Sequence, residues 1–260
     1  MTALHYRELA ARRNGEAAIP PIRPEVSRRF LEYLAHPRTG CVELRVLRAA
    51  WDREGRLHRA DRINPTYHGS TLAGWFDDAD RLVREAGRLA SVSGYVTINP
   101  VRRDLLARSY NRLDRCRHTT RDDDIVLLRW LYLDIDPKRP ADVSSTDEEL
   151  GAAVRRRDAI LAGEPELAVS ALWGRSGNGA WVLVRLPDYP NDAKHRRMVA
   201  EVVKAIARTY DDDEVVVDAV TANPSRLIGL PGTVKTKGSP RPDRPWRRVT
   251  FDGAGPDAGP

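Results

Sequence analysis

Cysteine is nearly missing from this chain of 260 residues, with only Cys41 and Cys116 present. Two thiols cannot build a disulfide framework or a four-thiolate zinc site. Cys116 and His118 could donate two metal ligands, but nothing near them in sequence completes a set, and both cysteines read as ordinary reduced thiols. Lysine is scarce as well, confined to Lys138, Lys194, Lys204, Lys235 and Lys237, although Lys and Arg together number 43 against 37 Asp and Glu. The net charge of +6 is therefore carried mainly by arginine. Its planar fork of donors suits phosphate, which favours nucleic acid as a partner; arginine-rich codon usage would give the same bias without function. No apolar run approaches bilayer length, and Met1-Thr2-Ala3-Leu4-His5 lacks a signal-peptide core. The expectation is a cytoplasmic protein with no membrane partner. No internal repeat is visible, and the length suits one large domain or two intimate subdomains.

Beyond a polar, Arg-rich start, periodicity predicts a helix from Pro24 to Ala35 and a strand over 41–49. A second helix is expected from Trp75 to Leu89, then a strand over 92–98 that closes at Asn99-Pro100. A basic segment, Arg102 to Arg121, leads to an apolar strand from Val126 to Ile135, ended by Pro137 and Pro140. Ser145 with Glu148, or Thr146 with Glu149, fits a capping box at the start of the next helix, whose Leu150, Val154 and Leu161 would face its core. Val169–Trp173 and Ala180–Leu186 read as a strand pair around a turn at 174–179. Ala193–Tyr210 is a helix with Met198, Val199, Val202, Val203, Ile206 and Tyr210 on its buried stripe. Val215–Val217 is the last core strand, and the Gly- and Pro-rich tail after Phe251 is expected to be disordered. The class is mixed α/β, with helices covering a partly antiparallel sheet.

The chemistry concentrates in three places. Leu131-Tyr132-Leu133-Asp134-Ile135-Asp136 puts two carboxylates on one face of a strand, roughly 6.6–6.8 Å apart along its axis. Two such acids side by side are unfavourable without a cation between them. Magnesium binds through one or two carboxylates plus phosphate oxygens, and a pair of ions can activate a 3′ hydroxyl and stabilise leaving pyrophosphate. A plain strand showing two acids to water is the bland alternative. Ser176-Gly177-Asn178-Gly179 could cradle phosphate through backbone N–H groups and the Ser176 hydroxyl, or be an ordinary hairpin turn. Asp218 ends the strand Val215–Val217 and could complete the acidic cage. The segment after it, Asn223-Pro224-Ser225-Arg226-Leu227-Ile228-Gly229-Leu230-Pro231-Gly232-Thr233, is followed by Lys235-Thr236-Lys237-Gly238. Arg226 and the lysines could hold a triphosphate or template backbone, or form a solvated basic loop. Asp211-Asp212-Asp213-Glu214 reads as a solvated acidic turn.

In this order the motifs resemble the archaeo-eukaryotic primase superfamily, and within it the primase-polymerases of plasmids, phages and other mobile elements. The resemblance runs from about Gly94 to Arg248 and takes in Asn99-Pro100-Val101, Ala107-Arg108-Ser109-Tyr110-Asn111-Arg112-Leu113 and Thr119-Thr120 with Asp122, Asp124 and Ile125. It implies two apposed α/β subdomains, one resembling an RNA-recognition motif, with an N-terminal part over 1–90, a catalytic core over 91–250 and a tail over 251–260. It implies metal-dependent, template-directed nucleotidyl transfer on single-stranded DNA, from nucleoside triphosphates, with a Mg2+ or Mn2+ pair. Asp134, Asp136 and Asp218 match the metal carboxylates, and Ser176, with Gly177 and Gly179, the nucleotide-binding turn; Arg226 and Lys235 are the further phosphate candidates. Relatives often carry a helicase beyond this region, so a replicative helicase is a candidate partner. Two positions depart from the pattern: Trp181 stands where a phosphate-contacting His is usual, and Gly229 where a second Arg is. Trp181 would stack on a base or fill core space, the second being favoured. Losing two preorganised donors weakens the expected triphosphate site and motivates an alternative, a primase fold kept as a nucleic-acid-binding module. A metal-dependent nuclease would share the acids but leave the segment from Asn223 to Thr233 unexplained.

Overall fold

A strand buried on both faces needs apolar residues at every position, and Leu131 to Ile135 supplies them nearly without interruption. In the computed structural model, which describes residues 17–34 and 40–259, this run lies inside an 11-residue strand that organises the molecule. The helices are α1 (Pro24–Leu34), α2 (Ala60–Ile63), α3 (Ala79–Ala86), α4 (Asp147–Gly163), α5 (Pro165–Ala168) and α6 (Ala193–Tyr210). The strands are β1 (Val42–Trp51), β2 (Leu57–Arg59), β3 (Ser70–Phe76), β4 (Leu89–Ser91), β5 (Gly94–Thr97), β6 (Asp114–Arg115), β7 (Leu127–Pro137), β8 (Ala171–Arg175), β9 (Ala180–Pro190), β10 (Val215–Val217), β11 (Leu227–Gly229), β12 (Val234–Lys235), β13 (Arg247–Arg248) and β14 (Gly253–Ala254). One sheet runs β11-β5-β1-β2-β4, with β3 on β1 and β6 on β3; a second runs β10-β7-β9-β8-β14; β12 and β13 form a ribbon. Among the strand pairs of the described residues only β2–β4 is parallel. The class is mixed α/β, with sheets flanked by helices.

Alternation along β7 and β9 divides the core in two. Leu131, Leu133 and Ile135, with Val182 and Val184, face the cluster built with α4 and α6. Trp130 and Tyr132, with Trp181 and Leu183, face the other way, into a cluster shared with α1 and the first sheet. Phe30 of α1 bridges the two layers, its ring 5.6 Å from that of Trp181 and 5.7 Å from that of Phe251, both edge-on. The end of β7 therefore emerges between the two sheets, and that end carries Asp134 and Asp136.

Several expected elements stand where the sequence puts them. Thr146 accepts from Glu149 N at 3.1 Å while Glu149 Oε2 accepts from Thr146 N at 2.9 Å, so the Thr146 box opens α4. Ser145 is instead tied to the 176–179 turn. The first helix is observed to Leu34; Ala35 lies outside the described residues, as does the Arg-rich start through residue 16.

Other expectations need correction. The helix expected over Trp75–Leu89 is only Ala79–Ala86, begun by Asp78, whose Oδ1 accepts from Asp80 N and Arg81 N. Trp75 and Phe76 end β3, because residues 72–76 pair with β1, and Leu89 starts β4. Met198, placed on the buried stripe of α6, is 37% exposed. The first sheet takes strands from both sides of residue 90, with β5, β6 and β11 joining β1–β4. The tail over 252–259 packs on the second sheet rather than being disordered: Gly253 pairs with Trp173 and Ala254 with Leu172, and Ala258 is buried. Its glycine permits close packing, because a Cβ on Gly253 would lie 2.6 Å from the Trp173 ring. Phe251 stacks on Trp181 with ring centroids 6.4 Å apart and meets Tyr33 edge-on at 5.5 Å. Phe251→Ala should therefore cost about 2 kcal/mol in urea unfolding, the half-buried ring losing less than a fully buried one. An unchanged midpoint would mean that the tail does not dock.

Candidate active site

The site begins with register. Val217 pairs with Ile135 and Val216 with Asp136, which sets Asp218 across from Asp134, its N–H donating to Asp134 O at 2.9 Å. On β9, Trp181 is paired with Asp134 from the other side. Residues directly opposite in an antiparallel pair share a face, so Asp134, Asp136, Asp218 and Trp181 all lie on the side facing the first sheet. Arg226 enters from that sheet, just before β11, and Lys235 comes from the β12–β13 ribbon.

The three acids do not form a cage as they stand. Arg226 Nη2 lies 3.5 Å from Asp134 Oδ2 and 3.9 Å from Asp218 Oδ2, between the two. Asp136 Oδ1 faces Arg139 Nη1 at 3.3 Å. Asp218 Oδ1 accepts from Val220 N at 2.9 Å, capping a short helical turn. Among the described residues no three His, Cys, Asp or Glu side chains converge on a point that could hold a metal ion. The donor set is right in kind for a hard cation, and the Asp134–Asp136 pair, completed by phosphate and water, fits one. A three-carboxylate cage does not fit while Arg226 holds its place.

Burial and mutual repulsion dominate the electrostatics of the acidic pair. Burial raises the Asp134 carboxyl first and the charge of Asp136 raises it further; Lys235, Arg226 and the Tyr132 hydroxyl pull it back, leaving it raised to about 6. Lys235 is driven down by burial, but Tyr95, Asp134 and Asp136 outweigh that and its net shift is upward. It therefore carries its charge, with Nζ 3.2 Å from Tyr95 Oη and 4.8 Å from the ring centroid. Burial raises Tyr95 too, yet Lys235 prevails and the phenol is lowered.

The glycine turn presses against these groups. A Cβ on Gly179 would lie 2.3 Å from Ile135 O and 2.8 Å from Asp136 Oδ1; Gly177, at φ 90°, would meet Lys235 Cβ at 2.7 Å. Both positions need glycine for close approach. Ser176 Oγ accepts from Gly179 N at 2.9 Å and so shapes the turn, while its own hydrogen and the Gly177 N–H have no partner among the described residues. Asn178 fastens the turn to the start of α4, its Oδ1 accepting from Ser145 N at 3.2 Å and its carbonyl from the Ser145 hydroxyl.

Trp181 is fully buried against Phe30 and Phe251 and is in no position to stack on a base. Gly229 lies across from Tyr95 in the β11–β5 pair. Arg139, whose side chain is 7% exposed, carries no sequence signal, since it sits between the strand-ending Pro137 and Pro140. Among the described residues the Nε atoms of Arg139 and Arg226 and the Asn178 Nδ2 are buried donors without acceptors. Three orphaned donors around two acids suit an anionic ligand.

No protein-family profile matches the chain, and no curated protein sequence does. Among solved structures it is similar to the AEP domain of the cyanophage S-2L primase-polymerase, at 12% identity and a TM-score of 0.48, over 91% of this chain and 93% of that one. It is also similar to the polymerase domain of Mycobacterium tuberculosis Ligase D in complex with DNA, at 13% identity and a TM-score of 0.43, over 86% of this chain and 79% of that one. At this level of likeness neither assigns the chain an activity.

Proposed function

We propose that the chain is a primase-polymerase, joining nucleotides on a single-stranded DNA template from nucleoside triphosphates, with Mg2+ or Mn2+ as the cofactor. The observation that carries this reading is the meeting, between the two sheets, of the Asp134–Asp136 pair with a glycine turn and orphaned cationic donors. A bound divalent ion would supply charge neutralisation between carboxylates and phosphate. Asp134 and Asp136 hold that charge in place, and Asp218 stands across the strand pair from Asp134. Lys235, kept protonated, and Arg226 and Arg139, each with a free Nε, bind phosphate oxygens. The Ser176 hydroxyl and the Gly177 N–H add neutral donors. Partnership with a replicative helicase belongs to the same reading.

The test is incorporation of labelled nucleotides on single-stranded DNA, with and without a primer, in Mg2+ and Mn2+. Asp134→Ala should reduce incorporation by at least a hundredfold, the scale on which one preorganised charged group acts in an active site, and keep its fold by circular dichroism. Equal incorporation by that variant would remove the acids from the mechanism. A second reading, a binding module without chemistry, is favoured by one observation: Arg226 stands between Asp134 and Asp218, where an ion would have to enter. It predicts tight template binding, no incorporation and no gain in nucleotide affinity on adding either metal.

A further inference from the structure

A second concavity lies away from the carboxylates, where β1 ends and β3 and β6 begin. Its volume is about 620 Å³, within the range of small-ligand sites. Ile63 and Leu72 give it an apolar floor, Trp51 and Tyr67 aromatic walls, and Asn64 and Arg115 polar groups. Trp51 is pinned, with the Arg88 guanidinium 4.2 Å from its ring centroid and Arg88 itself bonded to Gly55 O and Glu85. Tyr67 is 38% exposed. Asn64 Oδ1 accepts from the Thr66 N–H and hydroxyl, and its amide donors have no partner among the described residues. Arg115 is exposed and forms no ion pair among the described residues.

The backbone beside this cavity is built unusually. Between Val46 and Ala49 the β1–β3 register slips, and Arg48 adopts φ 53°, a left-handed conformation that costs a non-glycine residue about 1 kcal/mol or more. The bulge packs on Gly69, itself at φ 74°, where a Cβ would lie 2.6 Å from the Arg48 carbonyl carbon. Bulges re-aim side chains beside binding sites, and this one leaves Leu47 and Arg48 exposed next to cavity-lining Ala49. Across β3, Arg117 follows Arg115 and is likewise exposed. An aromatic, half-apolar cavity flanked by arginines that form no ion pair among the described residues matches an anionic ligand with flat apolar faces.

We propose that this cavity takes a nucleobase of a single-stranded polynucleotide, stacked against Trp51 and Tyr67, with the adjoining phosphates on Arg115 and its arginine neighbours. The arginines outside the cavity favour a continuing strand over a free mononucleotide. The inference rests on the proposed function for the class of ligand, and it needs no chemistry at the carboxylates.

The experiment is binding of a fluorescent oligothymidylate to the full chain and to the double variant Tyr67→Ala, Arg115→Ala. Both side chains are exposed, and matching melting curves check the fold. The variant should bind at least tenfold more weakly, one lost stacking contact and one lost phosphate contact sufficing, and its log–log salt slope should fall by about 0.7. Photocrosslinking from a 5-iodouracil oligonucleotide should map to Trp51 or Tyr67. Binding that is unchanged in the variant, or crosslinks confined to other residues, overturns the cavity assignment alone. Competition by thymidine monophosphate as strong as by the oligonucleotide overturns the strand and makes the site a mononucleotide pocket. Failure of the wild-type chain to bind any oligonucleotide overturns the proposed function and this inference together.

Discussion

Asp134→Asn will make the ligand-free protein more stable at neutral pH. The carboxyl stands raised to about 6 from an ordinary 3.8, because burial and the neighbouring Asp136 charge oppose ionisation more than Arg226 and Lys235 support it. Between those two values the folded chain binds a proton that the unfolded chain has released. Stability therefore falls as pH rises through that window, is free of the penalty below it, and carries it in full above pH 6. A rise of that size corresponds to roughly 3 kcal/mol at most, and the asparagine isostere removes the ionisable group. Arg226 keeps Asp218, 3.9 Å away, as a partner. The expected rise in melting temperature is several degrees at pH 7.5 and vanishes by about pH 4. Melting curves across pH 4 to 8 measure it. A variant that melts lower than wild type at pH 7.5 would show that Arg226 depends on Asp134 more than Asp136 opposes it. An active-site acid that costs stability is the usual trade between activity and folding, and the gain belongs to the ligand-free chain whether or not an ion binds.

The legible parts of this protein are those fixed by local pattern. The period of two in Leu131–Asp136 places Asp134 and Asp136 on one face, the stripe of Ala193–Tyr210 makes α6, and Thr146 with Glu149 starts α4. The direction in which the acids face is not legible, because it depends on Trp130 and Tyr132 meeting a layer drawn from distant segments, Phe30, Leu44, Val96 and Ile228 among them. The end of Ser70–Phe76 is ambiguous because Trp75 and Phe76 serve a helical or a strand pattern equally well, and only pairing with β1 decides. The tail misleads because Gly and Pro signal disorder by composition, whereas Gly253 is there to admit the Trp173 ring. Arg226 can be named as a phosphate candidate from sequence, but its place between Asp134 and Asp218 follows from the β5–β11 pairing, which no single segment encodes.

Trp181→His tests what the departure at this position means. If the tryptophan merely replaced a phosphate donor, the histidine would restore nucleotide affinity at little cost to folding. The structure gives the opposite expectation. Trp181 is 0% exposed, stacks on Phe251 and meets Phe30 edge-on, so an imidazole there leaves a cavity and buries a polar ring among hydrocarbons. Large-to-small changes of buried aromatic residues cost about 3–5 kcal/mol toward alanine, and an unsatisfied polar group adds about 1–3 kcal/mol. A loss on the order of 4 kcal/mol is expected in urea unfolding, with no gain in triphosphate affinity. Trp181→Phe, which keeps an apolar ring, should lose less than half of that. The indole Nε1 is itself buried without an acceptor, so phenylalanine relieves one defect while leaving a smaller void. Tighter nucleotide binding by the histidine variant at near-wild-type stability would mean that position 181 can turn toward the carboxylates and that the Phe30–Trp181–Phe251 packing is not what holds the two sheets together.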